Sequence, residues 1–371
     1  MREQTILIIG GGIGGLTSAI ALGRDGHRVT IVEKDPDWAV YGVGIIQQAN
    51  VVRAVKQLGI IDDYVDAGFG FDAVEVFLPN GMKVARIPSH RLVEGYPANI
   101  GIARPALHQV LGDRAKAAGA QVRLGVTAEA IAQDADGVSV RFSDGSEGRF
   151  DLVIGADGLY SQTRRQIMPD APTPEFTGQS VWRYNFDKPE SLDCLQAYEG
   201  AIGVGLVPLS QTLMYMFVTT PEPGNPRYPV AGLAAQMRQR LEGTAPAIAE
   251  LAAQITDDDA VVYKPLEWLF VDGPWHEGRV VLLGDAVHAT TPHLGQGAGM
   301  AIEDSLVLAE EITRADTPQA AFTAFHDRRF DRCRYIVESS LALCRSQLGL
   351  GPKVEQAPAT QAMVQRVAEP I

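Results

Sequence analysis

The chain has few cysteines, and their spacing excludes several kinds of site. Its three cysteines, Cys194, Cys333 and Cys344, are far apart among 371 residues and form no CxxC pair. Disulfide scaffolds and structural zinc sites require grouped cysteines, so we expect neither and predict no metal site. Isolated thiols suit a reducing compartment, and we therefore predict a cytoplasmic protein.

The chain also lacks long apolar runs and an excess of positive charge. No segment approaches the roughly 18 uninterrupted apolar residues of a membrane-spanning helix, and the first residues do not have the pattern of a signal peptide. The 45 Asp and Glu outnumber the 32 Lys and Arg, for a formal net charge of -13. A negative chain repels nucleic acid and anionic lipid, so we predict neither as a partner. No heptad pattern fixes an oligomeric state, and a monomer and a homodimer both remain open.

What is present begins with a strand, a helix and a second strand. Residues 5–9 form the short, β-branched apolar run that a buried parallel strand requires, and a glycine-rich turn leads from it into a helical pattern. Further strands of this buried type are predicted at 29–32, 151–156 and 280–283. After about residue 172 the strands become richer in aromatic residues, at 180–186, 201–208 and 213–220, which predicts an inserted sheet domain. The tail from Pro352 has the weak pattern of a frayed helix or a disordered segment.

The turn after the first strand has the spacing of a dinucleotide-binding motif. Gly10, Gly12 and Gly15 form G-x-G-x-x-G in a run that also contains Gly14, and Glu33 closes the second strand at about the expected 20-residue offset. Such glycines let a pyrophosphate approach a helix N-terminus, and a glutamate can accept a ribose hydroxyl. The alternative is a turn without a ligand and a solvated Glu33. The spacing alone does not distinguish FAD from NAD.

Two later segments place an acidic residue directly after a predicted strand. Gly284-Asp285 follows the strand at 280–283 and leads, through Pro292-His293 and Gly295-Gln296-Gly297, into a helix predicted at 300–314. Asp157-Gly158 follows the strand at 151–156, although Asp-Gly is also common as a simple turn.

In this order the three segments resemble the FAD-dependent aromatic hydroxylases, the single-component class A flavoprotein monooxygenases that include salicylate, 6-hydroxynicotinate and para-hydroxybenzoate hydroxylases. The resemblance extends from Thr5 to about Arg329. It implies FAD as cofactor and NADH or NADPH as co-substrate. It also implies an α/β fold like that of para-hydroxybenzoate hydroxylase, with a Rossmann-like FAD-binding domain, an inserted β-sheet substrate domain and a C-terminal helix. The predicted boundaries are 1–72, 99–172 and 263–330 for the FAD-binding domain, 73–98 and 173–262 for the substrate domain, and 331–371 for the C-terminal helix and tail.

The same resemblance implies roles for individual residues. Asp285 would hold ribityl or ribose hydroxyls, the backbone of 295–297 would meet the pyrimidine edge of the flavin, and Pro292 would lie near its reactive edge. Asp157 and Arg164 would lie where FAD and NAD(P)H both pass. Arg104 matches the family's arginine near the flavin, with a solvated helix start as an equally weighted alternative. The predicted cofactor-binding set is Gly10, Gly12, Gly14, Gly15, Glu33, Arg104, Asp157, Asp285, Pro292, Gly295, Gln296 and Gly297.

The reaction that the resemblance implies is hydroxylation of a small aromatic or heteroaromatic ring. NAD(P)H reduces the flavin, O2 adds to give a C4a-hydroperoxide, and an electron-rich ring carbon takes the distal oxygen. His293 and Tyr215 are the catalytic candidates. His293 is a candidate base for a phenolic proton, because imidazole titrates near neutrality, whereas loop packing is the alternative. Tyr215 would bind a phenolate or carboxylate unless it is simply core, and His288 is expected to be structural.

The substrate is less constrained than the cofactor. Arg183 could hold a substrate carboxylate, although the pattern favours a surface arginine. Urate-hydroxylating members place an arginine on the strand before Tyr215, and its absence from 201–206 argues against urate. One alternative is a monooxygenase of a larger natural product or antibiotic, for which Met214 and Met216 would form an apolar lid. Another is a non-catalytic flavin redox sensor, which the Asp157 motif and His293 argue against.

Overall fold

The computed structural model describes residues 3–40, 42–200 and 202–371. Its strands are β1 (Thr5–Ile9), β2 (Arg28–Glu33), β3 (Gly44–Gln47), β4 (Phe69–Phe71), β5 (Ala73–Phe77), β6 (Lys83–Pro88), β7 (Asn99–Ala103), β8 (Gln121–Leu124), β9 (Ala128–Gln133), β10 (Val138–Phe142), β11 (Glu147–Phe150), β12 (Leu152–Gly155), β13 (Glu175–Asp187), β14 (Leu195–Tyr198), β15 (Gly203–Pro208), β16 (Leu213–Pro221), β17 (Val262–Trp268), β18 (His276–Glu277) and β19 (Val280–Leu282).

The helices carry the rest of the regular structure. They are α1 (Ile13–Arg24), α2 (Ala49–Gln57), α3 (Ile61–Asp66), α4 (Arg104–Ala117), α5 (Gln162–Ile167), α6 (Leu233–Arg240), α7 (Pro246–Ala252), α8 (Asp285–His288), α9 (Gly297–Arg314), α10 (Pro318–Gln347) and α11 (Gln356–Ala368), with a 3-10 turn at Pro292–Leu294. Within the described ranges, no helix is both long and apolar enough to cross a membrane.

A six-stranded sheet in the order β18-β19-β12-β1-β2-β8 forms the centre of the nucleotide-binding part. Strands β19, β12, β1, β2 and β8 run parallel. The central strands β19, β12 and β1 are nearly continuous apolar runs because both faces of such a sheet are covered there. The α/β class and the Rossmann-like pattern expected from the sequence are confirmed. Because the strands are parallel, their carboxyl ends share one edge, and ligands bind at that edge in sheets of this type.

A seven-stranded sheet in the order β17-β13-β16-β15-β14-β5-β6 lies beside it. Its strands come from 73–88 and from 175–268, while the domain boundaries drawn from the sequence remain predictions. The predicted strand at 201–208 is observed as β15, and Ala201 lies outside the described residues, as do residues 1, 2 and 41 of the predicted FAD-binding domain.

The two faces of the seven-stranded sheet have different partners. Met214 and Met216 lie on the face that packs against α6 and α7, in a core that includes Leu233, Met237 and Ile248. The expectation that the two methionines form a lid over the substrate is therefore wrong. Strand alternation puts Tyr215, between them, on the opposite face.

That opposite face packs on a small sheet of β3, β7 and β4. Tyr215, Val207 and Leu209 form a core with Ile46 of β3 and Ala103 of β7. The approach is close: a Cβ added at Gly44 would lie 2.6 Å from the Tyr215 ring. The backbone of the small sheet at Gly44 therefore lies directly against the Tyr215 ring. This contact fixes the position of Tyr215 relative to α4, which begins directly after β7.

The C-terminal segment is an ordered helix, contrary to the expectation of a frayed or disordered tail. Met363 and Val367 of α11 are buried in the main core. Arg53 donates from Nη1 to the carbonyl of Ala368 at 2.7 Å, and Arg332 donates from Nη2 to the carbonyl of Pro370 at 2.6 Å. These contacts join residues far apart in the sequence, so local patterning could not reveal them.

Candidate active site

The three motifs and Glu33 lie at the carboxyl ends of four adjacent strands. Gly10 follows β1, Glu33 ends β2, Asp157 comes shortly after β12, and Asp285 comes shortly after β19. The strand order β19-β12-β1-β2 therefore brings them to one edge of the sheet. This is the edge at which parallel sheets bind nucleotides, next to the N-terminus of α1.

One glycine of the turn faces open space that a ligand could fill, whereas the others pack closely against the protein. Gly10 has a φ of 109°, and a Cβ there would collide with the carbonyl of Ala156. A Cβ at Gly15 would collide with the carbonyl of Gly10, and one at Gly14 would lie 2.7 Å from Leu283. A Cβ at Gly12 would meet no atom of the described residues within 4 Å. Gly12 thus faces open space at the start of α1, where a pyrophosphate could approach the helix N–H groups.

Glu33 holds the turn through its own hydrogen bonds. Its carboxylate accepts from the backbone N–H of Gly11 at 2.8 Å and from that of Asp35 at 2.9 Å. Trp38 donates from Nε1 to the carbonyl of Gly11 at 2.9 Å, and His108 Nε2 lies 3.2 Å from the same oxygen. Sequence reasoning missed the last two side chains, which flank the turn from a loop and from α4. The binding of a ribose hydroxyl by Glu33 remains a prediction.

Asp285 lies in a deep cleft that remains open to solvent. The side chain is exposed, yet surrounding protein raises the pKa of its carboxyl group by desolvation, while His288 and Arg104 lower that pKa. Gly284, with a φ of 63°, turns the chain so that Asp285 begins α8. The side chain of Asp285 is therefore accessible, and its binding of a nucleotide hydroxyl remains a prediction.

A buried ion pair between Asp304 and His288 holds the turn that precedes Asp285 in place. Asp304 accepts from the backbone N–H of Gly284 at 3.0 Å and lies 2.6 Å from His288 Nε2. Burial raises the pKa of Asp304, but His288 and Arg329 outweigh burial and hold it at about 2. Burial likewise lowers the pKa of His288, and Cys333 and Asp304 raise it well above its ordinary value. Through this contact with Asp304, His288 helps to hold the turn that precedes Asp285.

Three potential metal ligands lie together in this network. His288, Asp304 and Cys333 are buried and offer ligand atoms within 4.8 Å of one another. Arg329 already donates from Nε to Asp304 at 2.8 Å, and its Nη2 lies 3.6 Å from Cys333 Sγ. Because a guanidinium at that position repels a metal ion, we interpret the cluster as an ion-pair network that supports the turn.

The segment 295–297 forms the N-terminal approach to α9. Gln296 is the N-cap residue of α9 and is fully buried. Its amide group donates to Gln48 and to Asn50, and Asn50 in turn donates to Glu303 at 3.0 Å. Gln48, Asn50 and Glu303 were not predicted, and they hold the loop in place. The first N–H groups of α9 lack partners within the helix and favour negative charge, such as that of a reduced flavin.

The N-termini of α1 and α9 lie together at this edge. Ser305 of α9 donates to the carbonyl of Gly14 at 3.1 Å and lies 2.7 Å from the hydroxyl of Thr17. A Cβ at Gly14 would lie 3.5 Å from Ala301, near the start of α9. The site therefore offers two positive helix ends to one elongated ligand that carries phosphate at one end.

Asp157 and Arg164 make local contacts that fix the start of α5. Asp157 accepts from the Ser161 hydroxyl at 2.5 Å and from the Thr163 N–H at 2.9 Å. Arg164 is buried and donates to the carbonyls of Ala286 at 2.6 Å and Leu159 at 2.9 Å. Arg164 thus ties this motif to the Gly-Asp turn, and the nucleotide contacts of Asp157 remain a prediction.

His293 bridges the 3-10 turn to α10. Its Nδ1 lies 2.9 Å from the Thr291 hydroxyl and its Nε2 lies 3.1 Å from Gln347 Oε1. Burial lowers the pKa of His293 to about 4, against a smaller rise from Gln347. The imidazole is therefore neutral near pH 7, but both of its nitrogens have protein partners. The base role remains a prediction, and these two contacts favour the alternative of loop packing. Pro292, beside it, is exposed.

Tyr215, Arg183 and Arg104 converge on the cleft from the other side. Tyr215 is 4% exposed, and burial raises the pKa of its phenol while Arg183 and Arg104 lower it. Burial lowers the pKa of Arg183 to about 10, against a rise from Tyr215. Arg183 is partly exposed, and its role toward a substrate carboxylate remains a prediction. Arg104 begins α4 directly after Ala103 of β7, which packs against Tyr215.

Comparison with known proteins agrees with this geometry. The family model that matches residues 3–340 describes an FAD-binding domain. A curated relative, 3-hydroxybenzoate 6-hydroxylase of Polaromonas naphthalenivorans, is 33% identical over 92% of this chain and 88% of its own length. Aurachin C monooxygenase/isomerase of Stigmatella aurantiaca is 32% identical over 91% of this chain and 88% of its own.

A solved structure shows the same architecture with ligands bound. HpxO of Klebsiella pneumoniae, complexed with FAD and uric acid, superimposes with a TM-score of 0.83 at 27% identity and covers 98% of this chain and 92% of its own. The similarity spans both sheets and the C-terminal helices. It therefore supports the nucleotide edge as the site of the flavin.

Proposed function

The chain belongs to the family of FAD-dependent aromatic hydroxylases, which are flavoprotein monooxygenases, and from this premise we propose that it uses NAD(P)H and O2 to hydroxylate a small aromatic or heteroaromatic ring. One observation carries the substrate part of the proposal. Tyr215 packs on Ile46 of β3 and on Ala103 of β7, the residue before Arg104 at the start of α4, so this face of the seven-stranded sheet lies against the nucleotide-binding part. A ring held on that face would lie next to a flavin held at the edge.

The residues present fit FAD. Gly12 leaves open space at the N-terminus of α1, Asp285 is accessible in the cleft, and the N-terminus of α9 points to the same edge. Bound FAD would supply the chemistry that no side chain here can supply, namely acceptance of a hydride from NAD(P)H and activation of O2. The glycine turn would hold the pyrophosphate, and the start of α9 would stabilise negative charge on the reduced ring.

The protein's own contribution to the reaction is positioning and exclusion of water. Tyr215 is fixed by the close approach of Gly44, and its hydroxyl has no partner among the described residues, so it is available to a phenolate or carboxylate of the substrate. His293 is the proposed acceptor for a phenolic proton. It is neutral, as a base must be, although it would have to exchange one of its present partners for the substrate.

A larger substrate is the second candidate. The relative named for aurachin C favours it. The sequence argument for a larger substrate used Met214 and Met216 as an apolar lid. Both methionines instead pack against α6 and α7, so this argument no longer supports a larger substrate. The cytoplasmic location and the choice between monomer and homodimer remain predictions.

The experiment that tests the proposal is anaerobic reduction of the bound flavin by NADH and by NADPH. The rate of flavin bleaching is measured alone and with a panel of phenols, aromatic acids, aminoaromatic acids and a 4-quinolone. We expect one class of ring to accelerate reduction, because a correctly placed substrate brings the flavin and nicotinamide together in this family.

The control compounds are the corresponding cyclohexane carboxylates, which match the acids in charge but have a saturated ring instead of an aromatic one. Equal bleaching rates with every compound and with none would contradict the proposed substrate class. Acceleration by the quinolone alone would favour the second candidate.

A further inference from the structure

The backbone groups of Gly11, in the middle of the glycine turn, are held by three side chains. The N–H of Gly11 donates to the Glu33 carboxylate at 2.8 Å, and its carbonyl accepts from Trp38 Nε1 at 2.9 Å. His108 Nε2 lies 3.2 Å from the same carbonyl oxygen. Because a carbonyl can only accept, His108 carries a proton on Nε2 in this contact. Two donors from separate parts of the chain therefore share one backbone oxygen.

The direction of the Gly11 carbonyl determines the direction of the next backbone N–H. The peptide bond between Gly11 and Gly12 is trans, so the Gly12 N–H points away from Trp38 and His108. Gly12 is the N-cap of α1, and the space beside it is open. The N–H groups at a helix start lack partners within the helix and attract anions. The two donors thus orient an anion-binding N–H group and leave the space beside it free.

Trp38 reaches the turn in an unfavourable backbone conformation. Its φ is 51°, in the left-handed region that bulky side chains rarely adopt. The other non-glycine residue with a positive φ in the described part of the chain is Asn225, a residue type that tolerates this region. Such strain persists only where surrounding contacts impose it, and strained positions cluster at ligand sites. The conformation of Trp38 therefore points to a functional use of its indole.

Several local contacts bring the indole to this position. The Asp35 carboxylate accepts from the backbone N–H of Ala39 at 3.1 Å and closes the turn that carries Trp38. A Cβ at Gly11 would lie 2.5 Å from Trp38 Nε1, so the contact requires a glycine there. The indole also meets the His108 ring edge to face, with centroids 4.8 Å apart and an interplanar angle of 88°. This arrangement of aromatic rings is favourable, so the two donors support each other.

Helix α4 carries His108 on the same face as Arg104. The two residues are four positions apart, and Gly112 follows after four more, so all three lie along one side of the helix. A Cβ at Gly112 would lie 3.6 Å from the Trp38 ring. At 1.5 Å per residue, Arg104 and Gly112 are about 12 Å apart along the helix axis. One side of α4 therefore extends from the seven-stranded sheet, where α4 begins, to the indole that holds the glycine turn.

We propose that Trp38 and His108 are positioning residues for FAD, which fix the Gly11 carbonyl so that the Gly12 N–H meets the pyrophosphate. The inference goes beyond the proposed function, because it concerns how the cofactor is held and not which ring is hydroxylated. Neither side chain has to touch FAD. Since both donors share one acceptor, either of them alone still restrains the carbonyl. The carbonyl is free to turn only when both donors are removed.

The test is the affinity of the deflavinated full-length chain for FAD and for ADP, which shares the pyrophosphate and adenosine half of FAD. FAD binding is read from quenching of flavin fluorescence, and ADP binding from calorimetry. Trp38→Phe keeps an aromatic ring and removes the N–H, His108→Leu removes the donor, and His108→Gln keeps one. The matched control is Trp182→Phe, which removes an indole N–H that donates to Thr220 at 3.0 Å on the sheet face that packs against α6 and α7.

We expect Trp38→Phe and His108→Leu each to raise the Kd of FAD and the Kd of ADP by the same factor. That factor is about 2- to 12-fold, the range for loss of one hydrogen bond between uncharged groups. The double variant should exceed the product of the two single effects by about 3-fold or more, because the two donors share a partner. His108→Gln should bind both ligands nearly as the wild type does. Trp182→Phe should leave both Kd values unchanged, even if it lowers the midpoint of urea unfolding.

Several outcomes would overturn the inference. Wild-type affinities in the double variant would show that the shared carbonyl does not control binding. Single effects that merely multiply would assign each side chain a separate contact with the nucleotide. A raised Kd for FAD with an unchanged Kd for ADP would place the two side chains at the flavin ring, and an equal rise in Trp182→Phe would reduce the effect to lost stability. Failure of the proposed function is distinguishable, because it would appear as no ring-dependent flavin reduction in a wild type that binds FAD normally.

Discussion

Substitution of Gly12 by alanine separates the role of the glycine turn in folding from its role in binding FAD. Gly12 is the N-cap of α1 with a φ of -81° and a ψ of -170°, a conformation that alanine adopts freely. A Cβ there meets no described atom within 4 Å. We expect the free energy of unfolding of the apoprotein to change by less than about 1 kcal/mol, because the poorer N-cap is offset by the stiffer unfolded chain.

The same Cβ should weaken FAD binding strongly. It occupies the space through which a pyrophosphate would reach the first N–H groups of α1, and a hydrogen bond to a charged group contributes about 1.5–3 kcal/mol. Loss of one such bond predicts a Kd for FAD that is about 10- to 150-fold higher than that of the wild type. The assay is titration of apoprotein with FAD, followed by quenching of flavin fluorescence.

Gly15→Ala is the matched control in the same turn. Its Cβ would collide with the carbonyl of Gly10, which belongs to the backbone and cannot move aside. We expect this variant to lose about 1–3 kcal/mol of apoprotein stability in urea unfolding. The reasoning would be refuted if Gly12→Ala bound FAD as tightly as the wild type, or if both variants destabilised the apoprotein equally.

The remaining predictions concern the ion-pair network, His293 and Tyr215. Asp304→Asn should lower the free energy of unfolding by about 3–5 kcal/mol in urea, because it leaves Arg329 and His288 buried without a full counter-charge, and a loss below about 1 kcal/mol would contradict that role. In the folded protein the pKa of His293 is lowered from 6.5 to about 4. As the pH falls from 6.5 to 4, His293 is therefore protonated in the unfolded chain before it is protonated in the folded protein. Stability should therefore decrease by up to about 3 kcal/mol from this residue between these two pH values, and His293→Asn should flatten the dependence of the urea midpoint on pH. If His293 is also the base, His293→Asn should lose coupled hydroxylation only at pH values below the pKa of a phenolic substrate, where the phenol still carries its proton. Unchanged coupling at every pH would exclude the base role. Tyr215→Phe should raise the Kd of a carboxylate ligand about 5- to 20-fold without loss of FAD, whereas an unchanged Kd would assign this tyrosine to the core.

The nucleotide edge was predictable because its signals are local. Buried parallel strands appear as continuous apolar runs, and a glycine or acidic residue directly after such a run must lie at the carboxyl edge of the sheet. Gly10, Asp157 and Asp285 therefore came together as expected. Their supports were not predictable, since Trp38 and Asn50 reach the site from separate elements.

The substrate side was less predictable because it depends on which face of a strand is covered. Alternation gives two faces but does not say which one meets α6 and α7, so the methionines beside Tyr215 were placed on the wrong side. The burial of Tyr215 results from the approach of β3 and β7, which are distant in sequence. The docking of α11 through Arg53 and Arg332 is equally non-local.

We expect this chain to insert one atom of O2 into an aromatic ring. The most direct test is turnover of the FAD-loaded protein with NAD(P)H, isotope-labelled O2 and the ring compound that most accelerates flavin reduction. We expect mass spectrometry to find one labelled oxygen in the product for nearly every NAD(P)H consumed, with little hydrogen peroxide. Full consumption of NAD(P)H with hydrogen peroxide as the sole product, for every ring that accelerates reduction, would contradict the account.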